Sequence, residues 1–182
     1  MKMTTRDLVY IAVFAALVAA LGLIPPIPLP FIPVPITAQS LGVMLAGAIL
    51  GARRGACALL LFLVLVAIGF PLLSGGRGGF GVFLGPSGGF LLGFPLGAFT
   101  VGWFIERWWK RLNLGLAILA TMIGGIGVVY ALGIPWLALA SQTSLAKAAI
   151  GSLVFIPGDV VKAVIAAIAT VNVRRTYPLI QR

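Results

Sequence analysis

The sequence predicts an all-α integral membrane protein, a single transmembrane domain over residues 1–182 with six membrane-spanning helices and both termini cytoplasmic. Three observations carry this prediction. Apolar residues make up 61% of the 182 and charged residues only 9%, where a soluble domain carries about 25% charged residues to solvate its surface. The mean hydropathy is +1.17, so the chain cannot cover itself with polar groups. Finally, the apolar residues fall into six runs, and the basic residues sit between them in a pattern that an even number of crossings explains.

The runs are 8–24, 36–50, 56–73, 80–105, 112–140 and 148–173. Crossing a bilayer takes roughly 20 apolar helical residues. The first run follows Lys2 and Arg6, which raises the alternative of a cleaved signal peptide. Its 17 residues exceed the roughly 7–15 of a signal-peptide core, so it is read as span one. Asp7 stands at its start, where a helix N-terminus favours a carboxylate. The second run has only 15 residues and must borrow from its flanks. The last two runs are long, and each holds a predicted break, Gly133 with Pro135 and Pro157 with Gly158, because proline removes a backbone donor and crowds the preceding turn.

The charges test this count. Six spans gather the N-terminus, the loops at 51–55 and 106–111, and the C-terminus on one side, and these hold ten of the 13 cationic side chains. Arg77 and Lys147 fall on the other side, and Lys162 lies within the last span. By the positive-inside rule the basic side is cytoplasmic. The net charge of +10 therefore reflects topology in the cytoplasmic (inner) membrane and contact with lipid, not binding to nucleic acid. Trp103, Trp108 and Trp109 bracket one end of the fourth span and Trp136 falls near the outer end of the fifth, as expected of indoles at the headgroup boundary. Glu106, beside Arg107, reads as a solvated pair. The proline-rich stretch at 25–35 predicts a stiff, extended apolar hairpin. Its plainest reading is a connector, the alternative a lid over a site.

Several activities are excluded at once. The chain has no His, so serine–histidine and cysteine–histidine nucleophiles and histidine-ligated metals are ruled out. The lone Cys57 permits neither an internal disulfide nor a thiolate cluster. No G-x-x-x-x-G-K-[ST] run exists, so any ATP-driven transport needs an ATPase on another subunit. The expectation is a protein that is not an enzyme and holds no cofactor.

Asp159 and Lys162 stand out, because ionisable groups in hydrocarbon persist only by pairing or by lining a wet cavity. At i and i+3 they share a helix face. They read either as a self-satisfied internal pair or as a site offering one carboxylate and one ammonium to a polar ligand. The adjoining Pro157–Gly158 favours the site, since broken membrane helices tend to line cavities. A second constellation runs over 73–90, where Gly76, Gly78 and Gly81 match G-x-G-x-x-G without the strand that a dinucleotide fold requires. Its glycines, with Ser87 and Arg77, read as a binding loop ahead of plain helix packing. Ala12, Ala16 and Ala20 form a small-residue groove on span one; spacing does not say whether the helix it receives belongs to this chain or to a partner, and internal packing is the starting expectation.

These segments resemble the BioY family, biotin-specific substrate-binding components (S-components) of energy-coupling factor (ECF) transporters. The resemblance lies in Val34-Pro35-Ile36-Thr37-Ala38-Gln39, in 45–51, in Gly85-Pro86-Ser87-Gly88-Gly89-Phe90-Leu91, in 155–162 with its Pro157-Gly158-Asp159-x-x-Lys162, and in Tyr130 with Gly133 and Trp136. Ser87 and Phe90 depart from the Thr and Tyr usual in the family. The serine keeps the hydroxyl, whereas Phe90 is assigned no polar contact. The resemblance implies an ECF S-component-like bundle that takes up biotin, with a transmembrane coupling protein and two ATPase subunits as partners, and leaves a homo-oligomer open. It implies that Asp159 accepts from a ureido N–H and that Lys162 meets the ureido carbonyl. From charge and position, Arg77, Ser87 and the backbone of Gly75–Gly79, Gly76 and Gly79 included, are expected to meet the carboxylate, and the resemblance makes Tyr130 and Gln39 ligand-binding positions. It turns Ala12, Ala16 and Ala20 toward the coupling protein. The competing expectations are an S-component for another vitamin and a small channel or structural membrane subunit.

Overall fold

A computed structural model describes residues 3–176 and Ile180; Lys2 and Arg182, counted above among the basic ends, lie outside the described residues. Helix α1 (Thr5–Leu21) leads into a hairpin of β1 (Ile27–Leu29) and β2 (Ile32–Ile36), followed by α2 (Gln39–Leu50), α3 (Ala52–Ala67), the short α4 (Gly81–Leu84) and α5 (Gly88–Arg107). A 3-10 turn (Trp109–Arg111) precedes α6 (Leu114–Met122), which continues through a π-helical stretch (Ile123–Val128) into α7 (Val129–Ala140). Helix α8 (Leu145–Ser152) and a 3-10 turn (Leu153–Phe155) lead to α9 (Ile156–Thr176). Each of the six apolar runs thus contains a helical segment. Among the described residues, three continuous helical stretches are long and apolar enough to cross a membrane, namely α5, α6 through α7, and α8 through α9, with 20, 27 and 32 residues. Helices α1, α2 and α3 are shorter, at 17, 12 and 16 residues.

Polar contacts draw the basic segments to one end of the bundle. Thr4 and Asp7 form a reciprocal capping box at the start of α1, and the Arg54 Nε meets Asp7 Oδ1 at 2.7 Å. Glu106 has a role that sequence reading did not foresee. Its Oε1 accepts the Ala52 N–H at 2.9 Å, so a carboxylate from the end of α5 satisfies one of the orphan donors at the start of α3. The Arg174 guanidinium donates to the carbonyl of Leu112 at 2.6 Å and lies 5.3 Å from the centre of the Trp109 ring.

Helix α5 sits at the centre, packed on α2, α3, α7 and the π stretch. Lipid supplies little hydrophobic drive for helix association, so close approach through small residues has to do that work. A Cβ on Gly47 of α2 would strike the Ala98 carbonyl of α5, and one on Gly97 would lie 2.8 Å from the Gly124 carbonyl. The outward faces carry apolar side chains, among them Leu60 and Val64 of α3, Leu92 and Leu96 of α5, and Ile165 and Ile168 of α9.

The two predicted helix breaks fare differently. The chain does change geometry just before Pro157, which lies in the first turn of α9, where a missing N–H is tolerated. Gly158 has nothing within 4 Å of the position a Cβ would take, so the proline accounts for the break. Pro135, by contrast, is carried inside α7, as membrane helices allow. The departure from α geometry comes earlier, at Ile123–Val128, where a Cβ on Gly125 would meet Met44 at 2.5 Å.

Gly47→Val is expected to cost about 1–3 kcal/mol through overpacking of α2 on α5, whereas Gly158→Ala should be neutral or stabilise α9 by up to about 1 kcal/mol. Melting midpoints in detergent would separate the two, and equal midpoints would mean that the α2–α5 contact is not tight.

Candidate functional site

Three elements converge on the charged pair of α9. Lys162 Nζ lies 2.9 Å from Asp159 Oδ1, and it also donates to the Thr37 carbonyl at 2.6 Å and to Ser40 Oγ at 3.0 Å. All three ammonium protons are thereby engaged. The Ser40 hydroxyl donates to Asp159 Oδ1 at 2.9 Å. Tyr130 of α7 donates its phenol to Asp159 Oδ2 at 2.7 Å. Asp159 itself is 5% exposed. An internal pair of this kind is tolerable because every charge is both paired and hydrogen-bonded.

This cluster is also one wall of a cavity that is partly open to the outside. The opposing walls are aromatic and aliphatic, formed by Phe90, Phe94, Phe155 and Val129. The Phe90 ring stands nearly perpendicular to Tyr130, at 5.8 Å and 85°, and to Phe155, at 6.4 Å and 84°. Edge-to-face packing of this kind holds the rings in fixed orientations. A Cβ on Gly133 would run into the Phe90 ring, so that glycine sets where the aromatic wall stands. Among the described residues, the charged groups lining the cavity are Asp159 and Lys162. Their charges cancel. The site can therefore offer an acceptor, an ammonium and hydroxyls to a compact polar head, and an apolar box to the body behind it.

The hairpin proves to be more than a connector. Val34, Pro35 and Ile36 of β2 and its flank close one side of the cavity. The strands pair antiparallel, with Ile27 opposite Ile36 and Leu29 opposite Ile32, while Ile32 and Val34 are buried beneath them. Prolines are admissible in such a ribbon because it has free edges where no donor is needed.

Of the sequence-predicted site residues, the structure brings Asp159, Lys162 and Tyr130 together and leaves the others outside the lining. Gln39 is 2% exposed, and its amide binds other parts of the protein. It donates to the carbonyls of Val18 at 3.2 Å and Leu72 at 3.1 Å and accepts from the backbone N–H of Ser74 at 3.1 Å. Arg77 is exposed, and its Nε is directed at the Ser74 carbonyl, 3.4 Å away. Gly75, Gly76 and Gly79 have φ values of 80°, 69° and 85°. Gly75 and Gly76 lie within the tight turn closed by Leu73 and Arg77, which explains the glycines without a ligand. Ser87 is buried at the start of α5, and the neighbouring Gly88 and Gly89 give way to Trp136, whose Nε1 donates to the Gly85 carbonyl at 3.0 Å. The glycine-rich region is thus built for close packing and tight turning.

Sequence reading missed Ser40, the Thr37 carbonyl as an acceptor for Lys162, and the Phe94 and Phe155 walls. Thr37 fell within a recognised segment, but a backbone oxygen carries no sequence signal of its own. On α1, Ala12, Ala16 and Ala20 are exposed while Ile11, Ala15 and Val18 face the core. This reverses the starting expectation of internal packing.

Comparison with known proteins places this geometry. The profile of the BioY family matches residues 1–179. A Biotin transporter BioY of Rhizobium etli is 57% identical over 183 residues, covering 98% of both chains. A Probable biotin transporter BioY of Bacillus subtilis is 46% identical over 173 residues, covering 95% of this chain and 92% of the relative. The crystal structure of the S-component for biotin from an ECF-type ABC transporter superposes with a TM-score of 0.92 at 35% identity, over 98% of this chain and 97% of that one. With a profile match along almost the whole chain, near full-length relatives and a shared fold around one polar-and-aromatic cavity, the chain belongs to the BioY family, whose members are transport components and not enzymes.

Proposed function

We propose that this chain captures biotin at the outer face of the cytoplasmic membrane as the substrate-binding component of an ECF transporter. The observation that carries the reading is the cavity whose polar wall is the Asp159–Lys162–Tyr130–Ser40 cluster and whose other walls are aromatic. Biotin combines a compact ureido head, with two N–H donors and one carbonyl, and an apolar bicycle. Asp159 accepts from a ureido N–H, and Lys162 or Tyr130 gives up a present contact to donate to the ureido carbonyl. The rings of Phe90, Phe94 and Phe155 enclose the bicycle. Arg77, Ser87 and the backbone at Gly76 and Gly79 take no part in this reading, because they stand outside the lining. The β1–β2 hairpin acts as the cover on the outer side.

The topology follows from the same arrangement. Six crossings with both termini cytoplasmic are supported by the contacts that gather Asp7, Arg54, Glu106 and Arg174 at one end. Helices α1, α2 and α3 then cross with help from flanking residues. The exposed alanines of α1 offer a flat, small-residue face for a helix of the transmembrane coupling protein, which carries two ATPase subunits.

Calorimetric titration of biotin into protein stripped of endogenous ligand should give one-to-one, nanomolar binding, with riboflavin and thiamine silent. Asp159→Asn and Lys162→Ala should each weaken binding by about 10- to 100-fold, since each removes from the site a charged hydrogen-bond partner worth roughly 1.5–3 kcal/mol. Near-wild-type affinity in both variants would refute the roles assigned. Leucine at Ala12, Ala16 and Ala20 should leave biotin binding intact and weaken co-purification with the coupling protein; lost binding with assembly preserved would instead point to internal packing.

A further inference from the structure

We infer that Gln39 is a positioning residue for the cavity, one that never touches the ligand but fixes the two oxygens against which Lys162 is held. The inference rests on the reading of the cavity as the biotin site. It starts from the saturation of one buried side chain. A glutamine amide has two N–H donors and an oxygen with two lone pairs, and here all are engaged. Nε2 donates to the carbonyls of Val18 and Leu72 at 3.2 and 3.1 Å. Oε1 accepts from the Ser74 N–H at 3.1 Å and the Ser74 hydroxyl at 3.4 Å. Only one orientation of the amide fits two carbonyls on one side and an N–H on the other.

The partners belong to elements that would otherwise be held together weakly. At the end of α1 the Gly22 N–H bonds to the Ala19 carbonyl, and Gln39 serves the Val18 carbonyl as an outside donor at a helix terminus that needs one. Gly22 comes so close that a Cβ there would strike the Leu72 carbonyl and lie 3.0 Å from Gln39 Nε2. The glycine-rich loop at 71–79, the end of α1 and the first turn of α2 are therefore joined through one amide.

Gln39 and Ser40 are consecutive at the start of α2, so their side chains diverge by about 100° around the helix. One is directed at α1 and the loop, the other at α9. The Thr37 carbonyl and Ser40 Oγ together receive two of the three Lys162 protons, at 2.6 and 3.0 Å. Any shift of the backbone at 37–40 moves both oxygens and the Asp159 carboxylate that Ser40 also contacts at 2.9 Å. On its far side this segment is held by the Gln39 amide, beside the close packing of Gly42 on Val18 and Leu21 of α1. The loop that spacing and composition suggested as a ligand cradle acts on the ligand through Gln39 and Ser40.

The test is a double-mutant cycle on the purified full chain, read by biotin titration with melting midpoints measured in parallel. Gln39→Met keeps the length and removes every hydrogen bond. It should weaken biotin binding by about tenfold, a scale common for directly coupled neighbours. Combined with Ser40→Ala, it should add clearly less than about tenfold to the loss caused by Ser40→Ala alone, because the share of its effect carried by the Ser40 hydroxyl is already gone and only the Thr37 carbonyl is left to misplace. A residue that merely stabilises the bundle would lower the midpoint while its effect on affinity multiplied with that of Ser40→Ala, and that result would overturn the inference. So would wild-type affinity in Gln39→Met. Should Gln39→Met fail to fold, Ser74→Ala deletes only the hydroxyl contact. A two- to threefold loss, about what a weak hydrogen bond supplies, that shrinks in the Ser40→Ala background supports coupling, and multiplicative losses overturn it. Wild-type protein that binds no biotin would defeat the reading of the cavity itself, whereas wild-type binding with multiplicative losses would defeat the role of Gln39 alone.

Discussion

The buried pair of Asp159 and Lys162 is the constraint from which the centre of the bundle is organised. A charge in an apolar surrounding is stable only when paired and hydrogen-bonded on all sides. The third and second partners must come from elsewhere, because two residues on one helix face cannot satisfy each other fully. Tyr130 is supplied by α7, and Ser40 and the Thr37 carbonyl by the start of α2. Satisfying one pair therefore fixes the relative positions of three segments, and the space left between them is the cavity. The pair is at once an internal salt bridge and a polar wall of the cavity.

Around that centre, fit is governed by how closely backbones can approach. Glycine on one helix faces a backbone oxygen or a bulky side chain on the next, as with Gly47 against Ala98 and Gly133 against Phe90. The same economy of size works outward on α1. There Ala15 contributes to the core while Ala12, Ala16 and Ala20 lie on the surface. One helix presents small residues on two faces, with packing on one and an open face on the other.

The legibility of the chain divides along these lines. Helical segments were readable from the six apolar runs, and the gathering of basic segments at one end from charge placement. Asp159 and Lys162 were readable because charge in an apolar run is conspicuous. The glycine-rich loop is harder to read, since glycine needed for positive φ or for close packing looks the same in sequence as glycine needed for a ligand. Gly76 and Gly79 have positive φ, and Gly89 packs against Trp136. Gln39 is hard to read for a related reason. Its place in a recognised segment marked it as important without saying whether its amide turns toward the cavity or away.

By itself the sequence determined the apolar, helical character of the protein, the absence of histidine-dependent chemistry and the presence of one costly ion pair within a span. These properties depend on composition and on spacing along a single helix, both of which are local. Tertiary structure decided which groups complete the ion pair, that Glu106 caps α3, that Pro135 is absorbed while Pro157 starts a helix, and that the hairpin lines the cavity. Each of these is a contact between residues far apart in the chain. Their geometry is fixed only when the helices pack, because a hydrogen bond or a glycine contact is satisfied by distance and direction in space and leaves no period in the sequence.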